Sequence, residues 1–157
     1  MASEDQLKGL LRRLDKAWAE LQGSYVGLAE TELTEPGVAG DWSVRDILAH
    51  VTTWEEEALK YLPLIAQGGR PPRYATYGGI DAFNARMTEQ KRSLSLSEVL
   101  RQLDETHSRL IDLVQSAPAD QLGGKTRWRR RLRLDTYGHY LEHARAIWEW
   151  REQRPAE

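Results

Sequence analysis

Residues 40–65, GDWSVRDILAHVTTWEEEALKYLPLI, decide the fold of this chain. Ser43-Val44-Arg45-Asp46 has the form of a capping box, in which the serine hydroxyl accepts a backbone N–H three residues on and the aspartate reaches back. A helix therefore starts at Ser43. Ile47, Val51, Trp54, Ala58, Leu62 and Ile65 follow at intervals of three and four, the period of one helical face. Gly68 and Gly69 end it.

On the N-terminal side, Leu7, Leu10, Leu11, Leu14, Trp18, Leu21, Tyr25 and Leu28 keep the same period and predict a helix from Ser3 to about Ala29. Between the two, Thr31 to Asp41 carries Pro36, Gly37 and Gly40 and reads as a long connecting loop. On the C-terminal side, GGRPPRYATYGG (68–79) is too long for a simple turn between packed helices. It is either a wall or lid for a site or a surface excursion, and the sequence leaves both open. A short helix over Ile80 to Gln90 comes next. A third long helix is marked by Leu96, Val99, Leu100, Leu103, Leu110, Ile111 and Val114, with Ser95 or Ser97 as its N-cap and Pro118 beyond its end. Gly123 to Arg133 reads as basic and irregular, and a fourth helix, capped by Asp135 or Thr136, runs to about Gln153. Four apolar stripes with no strand pattern make an all-α, antiparallel four-helix bundle with long connecting loops the simplest fold, as one domain over residues 1–157. The uneven connections permit an order other than up-down-up-down.

Composition narrows the function. The 157 residues contain no cysteine, which excludes disulfides, thiolate nucleophiles and sulfur-ligated metal, and fits a reducing cytoplasm. With 22 basic against 24 acidic residues the formal charge is −2, which offers no global field for a phosphate backbone, so no nucleic-acid partner is expected. No apolar run is long enough for a membrane span, and the N-terminus lacks a signal-peptide layout, so neither membrane nor export is expected. Six tryptophans and six tyrosines against one phenylalanine suit a wet cavity or an interface. Trp148 and Trp150 are candidates for a homodimer contact.

The histidines carry the chemistry. His139 and His143 are four apart, so both rings leave the same side of one helix. That side continues through Ala146, Ile147 and Trp150, a face suited to the interior. His50 lies at the edge of the stripe formed by Ile47, Trp54, Ala58 and Tyr61. If the second and fourth long helices start at the same end of the bundle, all three histidines meet in one layer. Three imidazoles with an open fourth position are the usual arrangement of catalytic zinc, and nickel, copper and ferrous iron accept the same donors. The bland alternative is three hydrogen-bonded core histidines, which an isolated His-x-x-x-His more often represents. His107, between Leu103 and Leu110, reads as a buried neutral ring bonded to a hydroxyl or carbonyl, outside the metal set. Glu142 reads as solvated and facing away from the pair. The arginines at 127, 129, 130, 131 and 133 either grip an anionic substrate or, more commonly for such runs, face water.

Gly40-Asp41-Trp42-Ser43-Val44-Arg45-Asp46-Ile47-Leu48-Ala49-His50 followed by Trp54-Glu55, together with Asp135-Thr136-Tyr137-Gly138-His139-Tyr140-Leu141-Glu142-His143-Ala144-Arg145, resembles the DinB-like superfamily across nearly the whole chain. Asn84 in Asp81-Ala82-Phe83-Asn84-Ala85-Arg86 resembles its ClbS/DfsB subgroup. The resemblance implies a four-helix bundle whose His50, His139 and His143 hold a divalent ion, zinc or nickel. Relatives are implied to include metal-assisted thiol transferases and a resistance protein that hydrolyses a reactive natural product. The expectation is a metal-dependent hydrolase or thiol transferase acting on a small reactive or toxic molecule, with Trp54, Tyr61 and Asn84 as pocket candidates. The alternative is a protein that binds or sequesters small molecules and whose histidines are structural.

Overall fold

The computed structural model describes residues 2–154. Helix α1 (Ala2–Tyr25) stops where Gly27 takes a φ of 83°, a left-handed conformation that ends a helix cheaply only at glycine. The expected first loop contains a single helical turn, α2 (Glu30–Leu33), and closes on a bridge between Ala39 and Trp42. Then α3 (Val44–Ala66) begins on the capping box: Asp46 N donates to Ser43 Oγ at 3.1 Å, and Ser43 N donates to Asp46 Oδ2 at 3.1 Å. The next segment carries a 3-10 turn (Tyr74–Tyr77) and leads into α4 (Ile80–Lys91). Helix α5 (Leu96–Gln115) is capped by Ser95, whose hydroxyl accepts from Glu98 N.

The basic stretch expected to be irregular is instead a helix, α6 (Arg127–Asp135), capped by the Thr126 hydroxyl. Its buried residues Trp128, Leu132 and Asp135 sit at i, i+4 and i+7, so the arginines between them masked a helical face. Helix α7 (Tyr137–Gln153) follows after a break at Thr136, where φ is −129° and ψ −99°. Neither expected cap acts there. The Thr136 hydroxyl donates back to Leu132 O at 2.5 Å, and Asp135 accepts from Arg131. The break is tight enough that a Cβ on Gly138 would lie 2.9 Å from the Arg133 carbonyl oxygen. Of the two tryptophans considered for a dimer contact, Trp150 packs against the core under Arg154, and Trp148 is 39% exposed.

Contacts fix the direction of each bundle member. The end of α1 meets the end of α7 through Arg151, which donates to Ser24 O at 2.8 Å, and Arg13 lies over Tyr137 near the start of α7. These two run the same way. Helices α3 and α5 also share a direction, since Arg45 bonds Lys91 O and Leu94 O just before α5, and Glu55 meets His107 halfway along. Against α3, the composite α6–α7 runs in the opposite sense: Arg127 donates to Gly69 O beyond the end of α3, while His139 meets His50 near its start. The bundle is therefore up-down-down-up. Parallel neighbours need a connection that returns the length of a helix, which is what residues 67–95 with α4 supply. The histidines do not meet because two helices start at one end. They meet because α6 fills the first part of the last member and brings residues 139–143 level with His50.

At the centre, one residue from each member joins a single polar knot. Glu55 of α3 is fully buried; Tyr140 of α7 donates to its Oε2 at 2.5 Å and His107 Nδ1 of α5 lies 2.8 Å from the same oxygen. Trp18 of α1 stacks flat on the His107 ring at 3.6 Å. His107 is thus bonded to a carboxylate as well as near a hydroxyl, and takes no part in the histidine trio. Burial raises the Glu55 pKa and the bonds from His107 and Tyr140 oppose that rise. Removing the acceptor strands the buried Tyr140 hydroxyl and the partly buried His107 ring, so Glu55→Ala is expected to cost about 3 kcal/mol, read as a lower urea midpoint at unchanged m-value. Glu55→Gln, whose amide oxygen still accepts, is expected to cost less.

Candidate metal centre

His50 projects from the second turn of α3 and is 5% exposed; His139 and His143 project from the first two turns of α7 and are half-buried. The Nε2 of His139 lies 3.0 Å from that of His50 and 2.9 Å from that of His143, and one nitrogen from each ring falls within 4.8 Å of the other two. The rings stand edge to face, 4.4–4.9 Å between centroids.

The donor set fits a divalent ion. Burial, then the neighbouring imidazoles, pushes the pKa of His50 down to about 3 and that of His139 to about 2; burial also lowers His143. All three rings are therefore neutral near pH 7, the form that coordinates. Zinc–nitrogen bonds of about 2.0–2.1 Å place tetrahedral donors about 3.3 Å apart, within a few tenths of an ångström of the His139–His50 and His139–His143 separations. The Nδ1 atoms of His50 and His139 are buried with no hydrogen-bond partner among the described residues, so no carboxylate or carbonyl fixes their tautomer.

The trio opens into a cleft of about 540 Å³. Trp42 lies 4.9 Å from His50 and Trp54 6.3 Å from His139, ring to ring. Trp54 Nε1 donates to Asn84 Oδ1 at 2.9 Å, and both residues line the cleft. Tyr61 does not. It is buried behind, with the Arg131 guanidinium 5.4 Å over its ring. The 68–79 segment forms a wall: Tyr74 packs on Trp54 and Phe83 at 5.2 and 5.1 Å, donates to Glu57 at 3.0 Å and accepts from Arg131 at 2.5 Å. Glu142, read as facing away, lines the cleft with His139 and His143.

Two further residues of the cleft were hidden in the basic run and the supposed cap. Arg131 Nε donates to Asp135 Oδ2 at 2.6 Å, both line the cleft, and Asp135 is 2% exposed. Burial lifts Asp135 from 3.8 to about 7 against the pull of Arg131. Their i,i+4 spacing was the signal in the sequence. Arg127 and Arg129 serve the fold, donating to Gly69 O and, at 2.7 Å, to Leu122 O; Arg130 and Arg133 remain exposed.

A sequence model described as the DinB superfamily matches residues 13–146. Comparison with curated proteins finds no match. Among solved structures, an uncharacterised protein from Escherichia coli UTI89 is 18% identical with a TM-score of 0.77, over 93% of this chain and 92% of that one. The colibactin self-resistance protein ClbS, in complex with a dsDNA, is 16% identical with a TM-score of 0.77, over 98% and 97%. DfsB, described as a sibling lethal factor precursor, is 15% identical with a TM-score of 0.74, over 98% of each chain. The ClbS complex overturns the expectation that nucleic acid is excluded as a partner: the same fold accommodates a duplex there. Net charge was the wrong quantity, because phosphates sense a local band of cations rather than the sum over the surface.

Ionisation of Asp135 gives the cleft a measurable signature. The folded chain keeps the proton over a range in which the unfolded chain has lost it, so this group lowers stability as pH rises from about 4 to about 7. The buried histidines act in the opposite sense, costing stability as pH falls below about 6.5. Relative to Asp135→Asn, the metal-free wild-type protein is expected to lose stability between pH 5 and about 7.5, checked by urea denaturation across that range; parallel curves would show an Asp135 that ionises normally.

Proposed function

The chain belongs to the DinB superfamily, and we propose that it is a metal-dependent enzyme acting on a small reactive molecule, of hydrolase or thiol-transferase type, with zinc or nickel held by His50, His139 and His143. One observation carries the reading: three imidazoles bring one nitrogen each within 4.8 Å of the others in an open cleft lined by tryptophan, tyrosine, asparagine and an arginine–aspartate pair. Core histidines that only fill space have no reason to share a point beside a cavity of substrate size. The similarity in fold to ClbS, a self-resistance protein, supports a small-molecule ligand.

A divalent ion there supplies Lewis acidity toward an oxygen or sulfur atom of the ligand. The chain's own residues supply the rest. Trp42 and Trp54 exclude water and offer flat apolar faces. The Asn84 oxygen is engaged by Trp54, which leaves its amide N–H groups to orient a ligand acceptor. Asp135, half-protonated near neutrality, can take or give a proton, and Arg131 and Tyr74 hold it in place. The whole chain acts as one domain in this reading.

Metal content separates the enzyme from a sequestering protein with structural histidines. Purified without a histidine tag, the protein is expected to carry about one zinc or nickel per chain, and His143→Ala to carry little, by elemental analysis. A wild-type chain that stays metal-free after incubation with either ion supports sequestration instead.

A second reading has its own observation. Arg12, Arg13 and Lys16 line a groove beside Leu141, on the flank of the bundle where α1 meets α7, and the fold is one that carries a duplex in ClbS. In this reading the groove holds a phosphate backbone. Anisotropy of a labelled duplex is expected to show binding that weakens as salt rises, with a log–log slope of about −3 that Arg12→Gln/Arg13→Gln reduces. No binding at low salt would remove the reading.

A further inference from the structure

The histidine cleft does not end at its floor. A second recess of about 380 Å³ adjoins it, sharing Leu134, His139 and Glu142 and adding Arg130, Arg133 and Gly138. The two hollows lie side by side along α6 and the start of α7. Their linings differ in kind. The inner part is rich in aromatic residues, and its Arg131 guanidinium is engaged by Asp135 and Tyr74. The outer part holds two exposed guanidinium groups, Arg130 and Arg133, whose side chains make no ion pair or hydrogen bond among the described residues.

The rim carries a second oddity. Ile80 is 53% exposed and Leu134 70%, and both line the inner cleft, one from the start of α4 and one from α6. Large apolar side chains exposed on the rim of a polar-floored cleft mark a contact surface for an apolar ligand. In the outer recess two arginines face one carboxylate, Glu142, and this net excess of positive charge suits a single oxyanion.

We propose that the ligand of this cleft is a small amphipathic monoanion: its flat apolar body lies against Trp42, Trp54, Ile80 and Leu134, and its single oxyanion is held by Arg130 and Arg133. This deepens the enzyme reading by naming the substrate class, and it rests on that reading for its biological sense. A carboxylate, a sulfonate or a sulfate ester presents the same chemistry to the two guanidinium groups. The body then spans the two hollows, which places the end far from the anion at the imidazoles.

Binding of 1-anilinonaphthalene-8-sulfonate, followed by fluorescence on the metal-free and the zinc-loaded protein, tests the idea, with neutral N-phenyl-1-naphthylamine as the same body lacking the anion. Arg130→Gln/Arg133→Gln is expected to weaken the sulfonate about tenfold and the neutral probe less than about twofold. Ile80→Ser/Leu134→Ser is expected to weaken both. All four side chains are exposed, and near-UV circular dichroism verifies that each variant keeps its packing. Equal loss of both probes in the arginine variant, or full sulfonate affinity in the rim variant, overturns the proposal. The titration is repeated on His143→Ala: arginine dependence there with no metal in the wild type sinks the metal reading alone, while bound metal without arginine dependence sinks this inference alone.

Discussion

A carboxylate taken wholly out of water is the constraint on which the rest of the structure depends. Burying Glu55 is unfavourable unless acceptor capacity is met, and only Oε2 is met, by Tyr140 and His107 together, while Oε1 has no hydrogen-bond partner among the described residues. The positions of those two partners are therefore dictated by where Oε2 sits. The consequence reaches the cleft through helix geometry. Residues one step apart on a helix point about 100° apart, and residues four apart share a face. On α3, Glu55 points into the core, and the face one step back carries His50 and Trp54. On α7, Tyr140 points into the core, and His139 and His143 share the neighbouring face. The Glu55–Tyr140 hydrogen bond thus sets the rotation of two antiparallel helices against one another, and the rings that line the cleft come together as a result.

The last bundle member shows a related economy. Arg131, Asp135, His139 and His143 recur at a spacing of four, and all four line the same cleft. On an uninterrupted helix such a stripe drifts by about 40° at each step. The break at Thr136 falls inside the stripe, between the ion pair and the imidazoles, and Gly138 admits the close approach of the Arg133 carbonyl that the break requires. The break thus turns the second half of the stripe back toward the cleft that the first half already lines.

What the sequence made legible follows from which forces are local. The capping box at Ser43 and the apolar period of α1, α3 and α5 involve neighbours in the chain, so four apolar stripes and an all-α bundle could be read directly. The direction of each helix could not, because it depends on which long connection crosses the bundle. His50, His139 and His143 stood out since each lies on or beside an apolar stripe. Glu55 lies there too, four residues after Val51 and three before Ala58, but a glutamate is usually taken as solvated and its partners are 52 and 85 residues away. Helix α6 was obscured by its charge: five arginines hide the Trp128–Leu132–Asp135 face, and three of the five are consumed inside the fold. Tyr61 shares the general direction of His50 and Trp54 but sits farther down α3, where Arg131 covers it before the cleft begins.

Burial acts on the whole cleft in one direction, toward neutrality. It holds the imidazoles unprotonated and lifts Asp135 toward its protonated form, so that carboxyl only partly offsets Arg131 and the interior carries a small positive charge at neutral pH. Three neutral nitrogens would not offset the charge of a divalent ion, which in such a site is the largest local charge present. Asp135 already faces Arg131 and Glu142 shares its recess with Arg130 and Arg133, so the balance falls to whatever the ligand brings. A cleft built this way favours an anionic ligand at its floor, and the exposed Arg130 and Arg133 lie in the adjoining recess.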